Sequence, residues 1–372
     1  MKRSQGRWVS WVVPGLLLGC AAASGFAQAG GRVGRDLPPL QKALPDAVGR
    51  KGTLPIVSNG YLLSYARTIR SRGSQAIFLT PLRTGKTLAL PFWLPGASSI
   101  RLDGGAVSSA GDVLLAGSYV RARAGAEANF VARVDRRGRV LSVKDLGDYT
   151  PERLCAAGDG TFWTLGQVWS REKVAPSAGG PGDYALLRQY SADGALKGSY
   201  LSRSLLPRGV VLNYRARMPQ ARSAFLRCGD HSVAAYLGRG TRFFLWTEVN
   251  TATGEDRSWS VRTPPQATMT GLALLGEHTA YASFRPGGLY RLEMVPSRPA
   301  RWTPVPAPAA GSAATAGGDR AAASILLGRD GPNLVHLMGA TSPRKDPTVY
   351  WSAPAAPEPD AGVETSAGRP RR

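Results

Sequence analysis

Histidine is scarce in this sequence, with His231, His278 and His336 the only three in 372 residues. No HExxH, GxSxG or Walker-type loop occurs. A helix-borne zinc-peptidase site, an α/β-hydrolase nucleophile elbow and a phosphate-cradling P-loop are therefore excluded. Acidic residues are also few, 25 Asp and Glu against 47 Lys and Arg, and they fall mostly in turns or near the C-terminus. No acidic cluster of the kind that holds calcium is visible. The apolar run at the N-terminus, Trp8 to Leu18, is too short to span a bilayer. What the chain has in quantity is glycine (45), proline (28) and a 43% share of hydrophobic residues. That combination suits many short strands joined by turns around a full core, and it argues against long helices.

Both ends stand apart from this pattern. Met1 to Arg7 carries Lys2, Arg3 and Arg7 with no acid, and the apolar run leads into the small residues "GCAAASGFAQAGG". This is the layout of a secretory signal. Two processing readings remain open. Cleavage after Ala27-Gln28-Ala29 makes residues 1–29 a signal peptide, whereas Leu17-Leu18-Gly19-Cys20 resembles a bacterial lipobox with Cys20 as the lipid attachment point. Either places the folded domain outside the cytoplasm, in the periplasm or beyond it, or lipid-anchored to a membrane. Residues 30–51 read as a spacer or ring-closing segment. Residues 353–372, "APAAPEPDAGVETSAGRPRR", read as a disordered Pro/Ala-rich tail, and Val305 to Ala323 as a flexible excursion.

Between these ends one pattern recurs: two runs of small and apolar residues around a tight turn, which is a β-hairpin signature. "PIVSNGYLLSYA" turns at Asn59-Gly60, "GAVSSAGDVLLAGSYV" at Gly111-Asp112, "RLCAAGDGTFWTLGQV" at Asp159-Gly160, "LRCGDHSVAAYLG" at Asp230-His231, "LALLGEHTAYASF" at Glu277-His278 and "ILLGRDGPNLVHLMG" at Asp330-Gly331. A second hairpin follows in most units, with turns at Thr84-Gly85, Arg137-Gly138, Asp193-Gly194 and Thr253-Gly254, and with Pro296 at the same place in a fifth. Four strands per unit at a period of roughly 40 to 50 residues is β-propeller spacing. Six units fit in residues 52–352. Seven blades is the alternative count, because six depends on taking "PIVSNGYLLSYA" as a unit start. The sixth unit lacks a last strand after "TVYWSAP", which the segment before Thr53 is expected to supply.

The chain thus resembles an all-β, six-bladed β-propeller of the broad NHL or TolB-like kind, with four-stranded antiparallel blades. "DGTFW" resembles the DG-x-x-W turn of many such blades, and the Trp-Asp pairs of WD40 blades and the double glycines of kelch blades do not recur. On this reading GDGTFW is the turn between the two inner strands of the third blade, with Phe162 or Trp163 wedged between neighbouring blades. An Asp-box reading wants Ser or Thr where the chain has Ala157.

Candidate sites are few. Asp230-His231 and Glu277-His278 occupy one register in successive units, so all four residues are expected on one face, either as a paired acid-imidazole site or as exposed turn caps. His336 is expected to pack within a strand. The His-x-His arrangement of streptogramin-lyase-like propellers cannot be placed, and lactonase-like propellers need the acidic cluster that is missing. No catalytic residue, metal ligand or cofactor is therefore assigned. Cys155 and Cys228 fall on equivalent strands of neighbouring units, either joined in a disulfide or as two buried thiols. The loop Ser199 to Arg222, with Arg203, Arg208, Arg215, Arg217 and Arg222, is a candidate contact surface.

The net charge of +22 draws polyanions, which for an exported protein means acidic glycans or anionic lipid headgroups and not nucleic acid. A merely basic, solvated surface accounts for the same charge. The functional expectation is a binding or scaffolding module for an envelope protein or glycan, working without cofactor. A propeller-type hydrolase or lyase, with its site at the channel mouth, is the alternative.

Overall fold

The computed structural model describes residues 55–168, 185–203, 224–239, 243–264, 267–285, 287–294, 300–305, 325–338 and 348–352. The leader with Cys20, the spacer, the tail, the excursion after Val305, the Pro296 turn and all of the arginine-rich loop beyond Arg203 lie outside these residues. The described chain is all β.

Five strands open it: β1 (Ile56–Ser58), β2 (Tyr61–Tyr65), β3 (Thr68–Ile69), β4 (Gln75–Pro81) and β5 (Leu88–Pro91). The first sheet has the order β1-β2-β4-β5. The second comprises β6 (Ala97–Val107), β7 (Val113–Arg121), β8 (Glu127–Val134) and β9 (Val140–Asp145), with β3 added on the far side of β6. The third is β10 (Tyr149–Ala156), β11 (Phe162–Val168), β12 (Ala185–Tyr190) and β13 (Leu196–Ser202). The fourth is β14 (Ala224–Cys228), β15 (Ser232–Arg239), β16 (Phe243–Asn250) and β17 (Asp256–Arg262). The fifth is β18 (Thr268–Gly276), β19 (Thr279–Arg285), β20 (Gly288–Glu293) and β21 (Arg301–Pro304). β22 (Ile325–Asp330), β23 (Asn333–Met338) and β24 (Thr348–Ser352) form a three-stranded sheet. Every pairing is antiparallel and joins successive strands, apart from β2 with β4 and β3 with β6. The architecture is a β-propeller.

The hairpins follow from local chemistry. Asn59 and Gly60 have φ of 46° and 77°, the left-handed pair that a two-residue turn between twisted strands requires and that Asn-Gly adopts at least cost. At Asp159 the carboxylate accepts from the Thr161 N–H at 2.9 Å and the Thr161 hydroxyl at 2.7 Å, and Gly160 has φ of 85°. GDGTFW is accordingly the turn between β10 and β11, the two innermost strands of the third sheet. Two strand counts differ from four per unit. β3 covers the start of β6, whose 11 residues extend past the other inner strands and would otherwise leave an unpaired edge. The first residues of the predicted Ser199–Arg222 loop belong to strand, since β13 runs to Ser202.

Packing between sheets follows the two-residue period of a strand, which sends successive side chains to opposite faces. Phe162 faces back onto the second sheet with Ala116, Val131 and Tyr190. Trp163 faces forward onto the fourth with Leu226 and Val233. Both aromatics of GDGTFW therefore act as wedges, one in each junction. Burying a side chain the size of Phe162 contributes roughly 3 kcal/mol. The same alternation puts Leu63 between the first and second sheets and Leu62 between the first and last. Leu326 and Leu327 likewise divide between the fifth sheet and the first.

Candidate functional site: the channel mouth

The inner strands β1, β6, β10, β14, β18 and β22 touch in that order, and β22 returns to β1. They enclose a cavity of about 500 Å³ at the end of the channel that carries the inner turns. All six strands line it, largely with small residues. The polar side chains there include Ser58, Asn59, Arg227, Asp230, Arg329 and Asp330. A cavity of this size matches an ordinary small-ligand site.

Its charges have distinct partners. Arg329 reaches from the sixth sheet, donates Nη1 to the Leu275 carbonyl at 3.2 Å, and forms an ion pair with Asp230 of the fourth. Asn59 and Ser58 both donate to the Val107 carbonyl, at 2.7 and 3.0 Å. Arg227 has no acidic partner among the described residues. Its Nε donates to the Leu272 carbonyl at 2.7 Å on the next inner strand, and its Nη1 to the Leu226 carbonyl at 3.0 Å. Burial, reinforced by the nearby Arg153 charge, lowers its pKa to about 10. Arg153 repeats this geometry one sheet earlier, with Nε to the Ala224 carbonyl at 2.9 Å and Nη1 to the Glu152 carbonyl at 2.7 Å. Beside these arginines Cys155 and Cys228 form a disulfide with a Cα–Cα separation of 5.7 Å, and both cysteines line the cavity.

Farther from the turns, the same inner strands carry a buried pair of acids. Register shifts between Leu102 and Gly104 and between Pro151 and Arg153 leave Asp103 and Glu152 as the extra residues of two β-bulges. Asp103 accepts from Arg101 Nε at 3.0 Å through Oδ2, while its buried Oδ1 accepts no hydrogen bond from the described residues. Glu152 accepts from Gln167 Nε2 at 2.9 Å. Burial pushes the Glu152 pKa up to about 7, against the pull of Arg153 and with the Asp103 charge adding to the rise. A carboxyl half-protonated near neutral pH is equipped to exchange a proton.

The four face candidates are not gathered into one cluster. His231 is exposed, and its carbonyl accepts from the Thr251 N–H at 2.9 Å. His278, at φ of 59°, sits against the fourth sheet. Its N–H donates to Glu248 Oε1 at 3.1 Å, its Nδ1 lies 3.2 Å from Glu248 Oε2, and its ring meets Trp259 edge-on. Glu277 accepts from Asn250 Nδ2 at 3.1 Å. Asp230 alone of the four lines the cavity, paired with Arg329. Among the described residues no group of three or more His, Cys, Asp or Glu is placed to hold a metal ion. His336 is buried in β23, where burial lowers its pKa to about 4.

The turn pattern that marks the blades does not reveal Asp103, Arg153, Glu152 and Arg227. A signal was present: "RLDGG", "PERLC" and "FLRC" place charges inside inner-strand runs. A strand packed between two neighbouring sheets leaves such a charge only the channel to face.

No protein-family model matches the sequence, and no curated protein does. Solved structures resemble the fold. The WD40 β-propeller domain of Doa1 aligns at TM-score 0.39 and 10% identity, over 82% of this chain and 93% of that one. A candidate gluconolactonase aligns at TM-score 0.42 and 14% identity, over 86% and 91%. A candidate 6-phosphogluconolactonase from Bacteroides fragilis aligns at TM-score 0.39 and 15% identity, over 77% and 76%.

Proposed function

We propose that this protein is an exported six-bladed β-propeller, the three-stranded sheet being its sixth blade, and that it binds an envelope glycan or protein segment in the channel mouth. The observation that carries the reading is the cavity of about 500 Å³ lined by all six inner strands. Export is supported by the basic and apolar leader, and the Cys155–Cys228 pair suits an oxidising compartment. A thermal-shift screen of the purified protein against acidic and neutral glycans, peptides and divalent metals tests it. A ligand at about 100 times its Kd stabilises by roughly 2.7 kcal/mol. The expected result is a shift with a glycan or peptide that a bulky residue at Ala156 abolishes; a shift that survives this change removes the channel from the reading.

A propeller-type hydrolase or lyase is the second reading, and buried Glu152 is the observation that favours it. Turnover of a glycan or lactone by the protein, lost in Glu152→Gln with ligand binding retained, would establish catalysis in the channel.

A further inference from the structure

Arg153 and Arg227 lie on neighbouring inner strands, two residues and one residue before the cysteines whose Cα atoms are 5.7 Å apart. Neither forms an ion pair among the described residues. Each spends two of the five N–H donors of a guanidinium on main-chain carbonyls, one on the next inner strand and one on its own. The remaining donors, Nη2 included, have no described acceptor. Arg227 lines the cavity with no carboxylate paired to it and with the Arg153 charge nearby, an arrangement that an anion in the channel would relieve. The wide surplus of bases over acids in the whole chain steers anions toward such a site.

We propose that Arg153 and Arg227 form the floor of an anion site that takes the carboxylate of a singly charged ligand, a sugar acid or other small organic acid, seated in the channel mouth. The inference rests on the binding reading above and adds the ligand's charge and its anchor. Planar carboxylates are the natural partners of guanidinium forks. A dianion is disfavoured, because Glu152 and Asp103 stand near Arg153 and Asp230 and Asp330 line the cavity. The volume leaves room for a ring carrying the carboxylate.

Calorimetric titration with glucuronate, its neutral methyl ester, glucose and inorganic phosphate tests the proposal. Glucuronate should bind at least tenfold more tightly than the ester or glucose, and Arg227→Gln and Arg153→Gln should each weaken it at least tenfold while the ester's binding is unchanged. The comparison of acid with ester needs only the unmodified protein, so it stands even where a variant fails to fold. Equal binding of acid and ester, or acid binding that survives both substitutions, overturns the anion site and leaves a binding channel standing. Phosphate binding more tightly than glucuronate overturns the monoanion assignment. Binding of neutral glycans or peptides with no response to glucuronate also overturns the anion site, whereas a channel that takes no ligand of any class overturns both readings.

Discussion

At the junction of the fifth and sixth sheets the inner strands meet backbone to backbone. A Cβ on Gly271 would lie 1.8 Å from the Leu326 oxygen, and the Leu326 N–H donates to Ser283 Oγ at 3.0 Å. Between the third and fourth sheets the inner strands are instead joined by side chains: the Cys155–Cys228 disulfide and the Arg153 hydrogen bond to Ala224. Arg227 does the same between the fourth and fifth. Around Gly271 and Leu326 there is no room for a charged head group, and Arg329 crosses this junction only at its turn end, to the Leu275 carbonyl. Where long side chains bridge the gap, guanidinium groups collect beside the channel. The uneven joining of one repeated unit thus leaves Arg153 and Arg227 without an ion pair among the described residues, whereas Arg329 is paired with Asp230.

The disulfide offers the largest test of this contrast. It closes a loop of 73 residues, for which the chain-entropy account gives about 4 kcal/mol of stability. Cys155→Ser with Cys228→Ser should lose an amount of that order in denaturant unfolding. The same loss should follow reduction of the parent protein, and a variant as stable as the parent would mean that the arginines hold this junction unaided.

Glu152 comes next. Facing it are Arg153 on its own strand, Asp103 and Arg101 on β6, and Gln167 on β11. With its folded pKa raised from 4.5 to about 7, the folded protein holds a proton that the unfolded chain releases. The stabilisation is complete below pH 4.5 and fades as pH rises through about 7, a change of about 3 kcal/mol. His336 acts in the opposite sense. Its pKa is lowered from 6.5 to about 4, so its contribution is present above pH 6.5 and fades as pH falls toward 4. In the parent protein the two slopes oppose one another between pH 4.5 and 6.5. Glu152→Gln should therefore show stability that rises with pH up to about 6.5 and then stays level, exceeding the parent at pH 8. An unchanged pH profile of the melting temperature would remove Glu152 from this account.

A smaller effect is expected where backbones touch. Gly271→Ala should cost about 2 kcal/mol, because the added methyl must displace the Leu326 carbonyl. Gly276→Ala, at the other end of β18 with open space around it, should change little, and similar losses at both positions would show that the approach of β18 to β22 is not what matters. The smallest effect belongs to His278→Ala, about 1 kcal/mol from the lost contact with Glu248. Ligand affinity in the channel should stay unchanged, and a tenfold loss there would return His278 to the site.

The hairpins were legible because their causes are local. Asn59-Gly60 and Asp159-Gly160 contain the residues that tolerate positive φ, and the two-residue alternation around Phe162-Trp163 marks a strand buried on both faces. The candidate site was less legible. His231 and His278 share a register in sequence, yet the first stays in solvent and the second turns to Glu248, because a shared register fixes which face a turn occupies and not which neighbour its side chain meets.

By itself the sequence determined the repeating hairpins, the all-β class and the propeller spacing, all of which follow from turn chemistry and side-chain alternation within a few residues. Only the tertiary structure decided that Cys155 meets Cys228, that Arg153 and Arg227 reach carbonyls of the next strand, and that Asp103 and Glu152 bulge out of register. Each of those depends on how closely two sheets pack, a distance set by side chains far apart in the chain.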